Sequence, residues 1–201
     1  MSRIITIAHQ KGGVGKSTIA LNLAMCFKEQ LNVALVDSDL QGSLYHARDT
    51  FAGMNVILAE QIFDIPKMGY DLVIVDTPPY LSNRLSDLFS ISDLILVPTK
   101  PGFFDVMAIR STLALIKFAQ AKKANLKAAI VLNMVKPRTG ITGEVAELLG
   151  SLGTPLLETM VYDRVSITRS AITAGVLNGN DTKAKDEITN LAEEVVNQIS
   201  A

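Results

Sequence analysis

The chain is 201 residues long, 48% of its residues are hydrophobic, and its formal net charge is −1 at pH 7. This length suits one domain with a substantial buried core. The small net charge excludes a protein whose whole surface is basic and binds nucleic acid. The single cysteine, Cys26, excludes an internal disulfide and is expected to be a buried residue in a reducing cytosol. No apolar run reaches the roughly 18–20 residues that span a bilayer, and we expect no signal peptide, so the predicted location is cytoplasmic.

Short apolar runs alternate with longer, helix-like stretches along the chain. The runs are rich in Val, Ile and Leu, which is typical of buried parallel strands, and they predict strands at 3–8, 32–37, 54–58, 71–76, 93–98, 127–133 and 155–160. Helices are predicted at 16–29, 42–50, 82–90, 103–122, 140–151, 165–174 and 182–199. This alternation predicts an α/β fold with a single domain over residues 1–201. The expected sheet is mostly parallel and twisted, with helices on both faces and a site at the carboxyl ends of its strands.

The first connection between a strand and a helix, residues 9–18, has the sequence HQKGGVGKST. Its three glycines let the backbone wrap closely around an anion, and the following helix N-terminus points N–H groups at the same anion. Lys16 supplies a charge for the outer phosphates of a nucleotide, and a hydroxyl such as that of Ser17 usually binds Mg²⁺. The predicted phosphate loop comprises Gly12, Gly13, Val14, Gly15, Lys16, Ser17 and Thr18.

The loop departs from the common pattern G-x-x-x-x-G-K-[ST], because Gln10 replaces its first glycine and a second lysine, Lys11, precedes Gly12. The resulting pattern, K-G-G-x-G-K-[ST], resembles the deviant Walker A box of the ParA/MinD superfamily of ATPases, and the chain is most similar to its short, ParF-like members. The resemblance implies binding of ATP and Mg²⁺, and ATP hydrolysis that is slow without a partner. It also implies that Lys11 reaches across a homodimer to the phosphates of the other subunit, so that ATP joins two copies and hydrolysis releases them.

The second and fourth predicted strands end in acidic residues. Asp37 and Asp39 are two positions apart, which places them on the same side of an extended chain, although helix capping is an alternative role for such residues. The segment resembles the superfamily's D-x-D-x-Q box, with Leu40 where many members have proline. This implies that Asp39 orients or deprotonates the attacking water and that Asp37 acts near Mg²⁺. Asp76 follows four apolar residues, as in a Walker B segment, and is expected to hold Mg²⁺ directly or through water.

Asn133 is predicted to end the sixth strand, where its amide could donate and accept hydrogen bonds at an adenine edge. In the superfamily an asparagine at this strand end contacts adenine. Alternatively, Asn133 is an ordinary turn residue at the strand end, and the base would then be bound by backbone groups near Pro155 or by Asp163 and its neighbours. The chain has no N-K-x-D sequence for guanine, which favours ATP.

Residues 100–138 contain eight basic residues and one acidic residue, Asp105, which gives this stretch a charge of +7. It forms either a solvated basic face or a surface that contacts the phosphate backbone of DNA without sequence preference. The resemblance implies association with the nucleoid in the ATP-bound state, and a small ParB-like or cargo-adaptor protein that stimulates hydrolysis. The candidate DNA-binding residues are Lys117, Lys122, Lys123, Arg138, Arg164 and Arg169.

The last 21 residues carry a charge of −3, with apolar residues at helical spacing that suit packing on the domain. An anchor at a membrane surface would need basic residues beside a strong apolar face, so no membrane partner is expected. A membrane-surface regulator like MinD and a small-molecule, ATP-dependent ligase of the same fold are the alternative functions. A metal-cluster protein related to the nitrogenase iron protein needs bridging cysteines, and Cys26 offers no pair.

Overall fold

The computed structural model describes residues 2–39, 42–51, 53–58, 61–80, 83–137 and 141–200. The strands are β1 Arg3–Ile7, β2 Val33–Asp37, β3 Asn55–Leu58, β4 Leu72–Asp76, β5 Leu94–Thr99, β6 Lys127–Val135 and β7 Leu156–Tyr162. The helices are α1 Lys16–Phe27, α2 Ser43–His46, α3 Asn83–Ile91, α4 Phe103–Lys122, α5 Ile141–Gly150, α6 Val165–Thr168 and α7 Thr182–Ser200. Four 3-10 turns lie at Arg48–Thr50, Ile62–Lys67, Arg169–Ala171 and Val176–Asn178.

The strands form one sheet in the order β3-β2-β4-β1-β5-β6-β7. Every strand pair in the described part of the chain is parallel, which confirms the predicted α/β fold. Because β1 lies between β4 and β5, the loop that follows it opens at the carboxyl edge in the middle of the sheet. In register, Ile7 of β1 and Asp37 of β2 both lie beside Asp76 of β4, so the predicted acidic residues meet next to the glycine-rich loop.

The core has a layer on each face of the sheet, because successive strand residues point to opposite faces. On one face, side chains such as Ile5 and Ile7 pack against α1 and α7. On the other face, side chains such as Ile4 and Ile95 pack against α3, α4 and α5. The strands are buried from both sides, which explains their continuous apolar sequence.

Several element boundaries differ from those predicted. The predicted helices at 42–50 and 165–174 are single short turns, α2 and α6, each followed by a 3-10 turn. In the second of these stretches the α-helical turn ends at Thr168 and the 3-10 turn at Ala171, and the positive φ angles of Ala174 and Gly175, 52° and 93°, exclude a helix that continues past them. Strand β6 runs two residues past Asn133, because Val135 pairs with Tyr162 of β7. The end of β6 is set by pairing with a distant strand, and the local sequence pattern does not reveal which residues will pair.

The acidic C-terminal helix α7 packs its apolar residues on the sheet, as predicted, with Ile188 and Leu191 fully buried. Its carboxylates are also used within the domain. Glu194 accepts backbone N–H bonds from Glu158 and Thr159 of the edge strand β7, at 2.8 and 2.6 Å. These bonds occupy donors that an edge strand would otherwise expose. Among the described residues, no helix is both long and apolar enough to cross a membrane.

Candidate functional site

The loop between β1 and α1 has the backbone shape of an anion cradle. Gly13 and Gly15 have φ angles of +70° and +89°, a region that favours glycine, and Gly15 is the N-cap of α1. A Cβ atom at Gly15 would also overlap the side-chain amide of Asn133. No side chain of the described residues caps α1, so its first N–H groups are available to an anion.

Lys16 is the first residue of α1, and its side chain lies inside this loop with the residue only 6% exposed. Its Nζ donates a hydrogen bond to the backbone oxygen of Lys11 at 3.3 Å. Burial lowers the pKa of Lys16, while the nearby carboxylates of Asp76 and Asp39 oppose that shift. A buried ammonium with one long backbone hydrogen bond is suited to binding a phosphate oxygen.

Ser17 and Asp76 form the centre of the site. Ser17 Oγ donates to Asp76 Oδ2 at 2.5 Å, and the other oxygen, Oδ1, is buried without a hydrogen-bond partner among the described residues. Burial raises the pKa of Asp76 to about 7; the hydrogen bond from Ser17 lowers it, and the charge of Asp37 adds to the rise. An unpaired carboxylate oxygen beside a hydroxyl fits a hard divalent cation such as Mg²⁺. The described residues contain no cluster of three or more His, Cys, Asp or Glu side chains that could hold a metal by themselves.

We expect Asp76→Asn to stabilise the nucleotide-free protein and to abolish Mg²⁺-dependent nucleotide binding. Because the pKa of Asp76 is raised in the folded state, folding favours its protonated form. Wild-type stability should therefore fall as the pH rises from about 4 to about 7, and the uncharged amide should remove this fall. A rise of the pKa from 3.8 to about 7 corresponds to about 4 kcal/mol, so the gain at pH 7.5 should be of that order, measured by urea unfolding. A variant that is less stable than wild type at every pH would contradict this account of the site.

Asp37 is fully buried at the end of β2 and is occupied by backbone donors. Its Oδ2 accepts N–H bonds from Leu44 and Tyr45 at 2.9 and 3.1 Å, and its Oδ1 accepts one from Asp39 at 3.0 Å. Asp37 therefore caps the start of α2, the alternative that the sequence left open, and its role near Mg²⁺ stays a prediction. Asp39 is more exposed and lies close enough to Lys16 to affect its pKa. Leu40 and Gln41, which complete the box, lie outside the described residues.

Lys11 lies at the outer side of the loop and is held within its own chain. Its Nζ forms an ion pair with Asp105 Oδ1 of α4 at 2.7 Å, and its N–H donates to His9 Nδ1 at 2.8 Å. Burial lowers the pKa of His9 to about 4, so the imidazole is neutral at pH 7 and can accept that bond. Sequence reasoning missed both partners. The one available signal was that Asp105 is the only acid in the basic stretch 100–138.

Asn133 is buried, and both ends of its amide bind backbone groups. Its Nδ2 donates to the oxygen of Val14 in the loop at 2.8 Å, and its Oδ1 accepts the N–H of Met134 at 2.9 Å. It thus supports the phosphate loop in this structure, and contact with adenine stays a prediction. A small cavity of about 80 Å³ opens beside it, between α1 and the segment after β7. It is lined by Thr18, Asn133, Met134, Tyr162, Asp163, Arg164, Ile167 and Thr168.

The predicted DNA-binding residues do not form one group. Lys117 and Lys122 are exposed on α4, and the Lys122 ammonium lies 4.2 Å from the centre of the Phe118 ring. Lys123 donates to the backbone oxygen of Ser92 at 2.6 Å. Arg164 is held by Glu187 of α7 through two hydrogen bonds of 2.8 and 2.6 Å, whereas Arg169 is exposed. Arg138 lies outside the described residues.

Comparison with known proteins agrees with this geometry. A family model described as "CobQ/CobB/MinD/ParA nucleotide binding domain" matches residues 5–174. The protein named "Maintenance of carboxysome distribution protein A" from Halothiobacillus neapolitanus is 32% identical over 207 residues, and the match covers 96% of this chain and 95% of that protein.

Two solved structures have a similar fold. A putative plasmid partition protein from Borrelia burgdorferi B31, bound to AMPPNP, has a TM-score of 0.76 at 20% identity and covers 98% of this chain and 100% of its own. The septum site-determining protein MinD from Pyrococcus horikoshii OT3, complexed with Mg-ADP, has a TM-score of 0.72 at 21% identity and covers 97% of this chain and 96% of its own. At these identities the likeness concerns the fold.

Proposed function

Because this chain belongs to the CobQ/CobB/MinD/ParA family of nucleotide-binding domains, we propose that it is a ParA-type ATPase that positions a cargo or partitions DNA. Two copies would be joined by ATP, bind DNA without sequence preference, and separate when a partner protein stimulates hydrolysis. The observation that carries this proposal is the pair of lysines on one loop. Lys16 is buried inside the loop, and Lys11 lies at the outer side of the loop with a partly exposed side chain.

ATP and Mg²⁺ fit the centre of the site. The Borrelia burgdorferi protein is bound to AMPPNP and the Pyrococcus horikoshii protein to Mg-ADP, which supports the same ligands here. In this chain the backbone of residues 12–18 would surround the phosphates, and Lys16 would bind their outer oxygens. Ser17 and Asp76 would hold Mg²⁺, with Asp37 close by, and the cation would neutralise charge on the phosphates. The cavity beside Thr18 and Asn133 would receive the base.

Hydrolysis requires a water aligned with the bond to the outer phosphate. Asp39 is the carboxylate we assign to orient or deprotonate that water, because its position in the D-x-D box resembles that of the superfamily and its charge is close enough to Lys16 to affect the pKa of that lysine. Lys11 cannot add its charge to the phosphates while it is paired with Asp105. In the proposed dimer Lys11 would leave Asp105 and bind phosphates held by the second copy, as an arginine finger does in other nucleotide hydrolases.

The surface around Lys11 supports contact with a second copy. Phe103 and Phe104, immediately before Asp105, are 61% and 79% exposed. Two neighbouring exposed aromatic rings are uncommon on a monomer and are enriched in protein interfaces. They lie at the start of α4, on the same edge of the sheet as the phosphate loop. Pairing of two such surfaces would cover the rings and bring Lys11 of each copy toward the site of the other.

The relative from Halothiobacillus neapolitanus is named for carboxysome distribution, which favours positioning of a cytoplasmic cargo as the biological role. Binding to the nucleoid would provide the surface on which the protein moves its cargo. Lys117, Lys122 and Arg169 are the exposed candidates for contact with DNA phosphates. Lys123 and Arg164 are less available, since both are only partly exposed, whereas Lys117 stays exposed although it donates to the Leu152 backbone oxygen at 3.2 Å. A small ParB-like or adaptor protein would stimulate hydrolysis.

We expect the purified protein to bind random-sequence DNA with ATP and not with ADP, and to bind less tightly as salt is added. Each neutralised phosphate contributes about 0.9 to the slope of log affinity against log salt, so Lys117→Ala/Lys122→Ala should reduce the slope by about 2. Fluorescence anisotropy between 50 and 200 mM salt, about the range where this effect is large, measures it.

Lys183→Ala is the matched control, because Lys183 is also an exposed helical lysine but lies on acidic α7. It should leave the slope unchanged. Binding that depends on neither nucleotide nor salt would contradict the proposed function. Co-sedimentation with anionic lipid vesicles in ATP would instead favour the membrane-surface alternative.

A further inference from the structure

Asn22, in the middle of α1, makes three hydrogen bonds that join two distant parts of the chain. Its Nδ2 donates to Ser170 Oγ and to the backbone oxygen of Thr18, both at 2.8 Å, and its Oδ1 accepts the N–H of Val176 at 2.9 Å. Asn22, Ser170 and Val176 are each at most 2% exposed. The Asn22 side chain therefore satisfies buried polar groups on both sides of the contact between α1 and residues 170–176. It belongs neither to the phosphate loop nor to the proposed Mg²⁺ site.

The segment that Asn22 holds, residues 169–178, is here called the strap. It consists of two 3-10 turns joined by residues 172–175, of which Ala174 and Gly175 have positive φ. The strap is pressed against α1, since a Cβ atom at Gly175 would lie 3.1 Å from Met25. Hydrogen bonds within the strap, such as the one from the Gly175 N–H to the Ser170 oxygen at 2.8 Å, hold it together as one unit. Asn22 joins that unit to α1.

The strap continues directly from the wall of the cavity beside the phosphate loop. Ile167 and Thr168 line that cavity, and Ser170 follows two residues later. On the opposite side the cavity is lined by Thr18, whose carbonyl is bound by Asn22 one turn further along α1. Asn22 thus belongs to the helix that carries the phosphate-binding residues and bonds to the strap, which directly follows the cavity wall in the chain.

We propose that Asn22 is a positioning residue that sets the distance between the phosphate loop and the cavity wall, and so determines how well the base of a nucleotide fits once its phosphates are bound. The inference rests on the proposed nucleotide binding and adds the residue that couples the two halves of the site. Asn22 does not contact the nucleotide. It acts through Ser170 and Val176, which fix the strap, and the strap fixes the adjoining end of the wall, Ile167 and Thr168, whereas Glu187 holds Arg164.

The proposal is tested by comparing the affinity for ATP with that for inorganic tripolyphosphate, both with Mg²⁺, in wild type and in Asn22→Leu. Leucine keeps the volume and removes all three hydrogen bonds. We expect ATP affinity to fall about tenfold, as for the loss of roughly 1.4 kcal/mol, because the cavity wall no longer meets the base correctly. Tripolyphosphate affinity should change less than about twofold, because the phosphate loop does not depend on the strap.

Two further variants separate positioning from general loosening of the fold. Ser170→Ala removes one of the three bonds and, like Asn22→Leu, should lower the ratio of ATP affinity to tripolyphosphate affinity. If Asn22→Leu does not fold, Ser170→Ala tests the proposal by itself. Ser92→Ala is the matched control. It removes two similar buried bonds, one between Ser92 and Thr6 at 2.7 Å and one from Ser92 to the Leu88 backbone oxygen at 2.6 Å, on the face of the sheet away from α1, and should leave the ratio unchanged.

An equal loss of affinity for both ligands in Asn22→Leu and Ser170→Ala would overturn the proposal, and so would no loss for either. A wild-type chain that binds tripolyphosphate as tightly as ATP would also overturn it, since no base contact would exist to position. A wild-type chain that binds neither ligand would overturn the proposed function, and this inference with it.

Discussion

Lys11→Ala should abolish ATP-dependent dimerisation while leaving the fold and ATP binding by the monomer nearly unchanged. Lys11 lies at the outer side of the loop whose interior Lys16 fills, so removal of its side chain removes no group that we assign to the phosphates of its own subunit. In the proposed dimer it supplies a positive charge to the second subunit's nucleotide, in a site shielded from water. Loss of such a charge is expected to weaken association by at least about 100-fold, as for a charged pair in an interface. Sedimentation velocity with ATP measures the dimer fraction.

The ion pair between Lys11 and Asp105 provides the decisive control. If Lys11 only supported the monomer fold through that pair, Asp105→Asn would reproduce the defect of Lys11→Ala. If Lys11 acts on the second subunit, Asp105→Asn should dimerise at least as well as wild type, because the lysine no longer has to leave a carboxylate. Lys67→Ala, which breaks an exposed pair with Asp64, should have no effect. A Lys11→Ala protein that dimerises normally would contradict the role assigned to this lysine.

Asp39→Ala should eliminate hydrolysis and accumulate the ATP-bound dimer. Asp39 lies at the carboxyl edge of the sheet, close enough to Lys16 to affect the pKa of that lysine, and the resemblance of its D-x-D box assigns it to the attacking water. Removal of a general base or water-orienting group costs about 100- to 10,000-fold in rate. Phosphate release and the dimer fraction should therefore change in opposite directions in this variant.

Asp64→Ala is the control for removing a carboxylate, because Asp64 is exposed and remote from the loop. It should hydrolyse ATP at the wild-type rate. The fold of Asp39→Ala should be intact, since its backbone N–H to Asp37 is kept. Normal phosphate release by Asp39→Ala would remove its assigned role, and loss of both hydrolysis and ATP binding would point to a part in binding instead.

The sheet and the phosphate loop could be predicted from sequence because each is determined by residues that are close together in the chain. Buried parallel strands need continuous apolar runs, and the loop needs glycines at positions such as Gly13 and Gly15, whose positive φ angles the structure shows. The meeting of Asp37 and Asp76 also follows, since each ends a strand and parallel strands end at the same edge. The separate roles of Asp37 as a helix cap and of Asp76 as a candidate metal ligand could not be predicted, because both are aspartates that follow an apolar strand.

Contacts between distant residues could not be read from local patterns. Lys11 and Asp105 are 94 positions apart, and Asn22 and Ser170 are 148 apart. Arg164 looked like a free basic residue in sequence, yet Glu187 of α7 binds it. The contact of Asn133 with the phosphate loop was also not predictable, because an amide at the end of a strand gives no indication of which donor or acceptor it will meet.

The central claim is that ATP joins two copies of this chain. The molar mass of the wild-type protein, measured by sedimentation equilibrium with Mg²⁺ and either ATP or ADP, tests it most directly. We predict twice the chain mass of 21.7 kDa with ATP and the single-chain mass with ADP. The same mass with both nucleotides, whether monomer or dimer, would contradict the claim, because nucleotide state would then not control association.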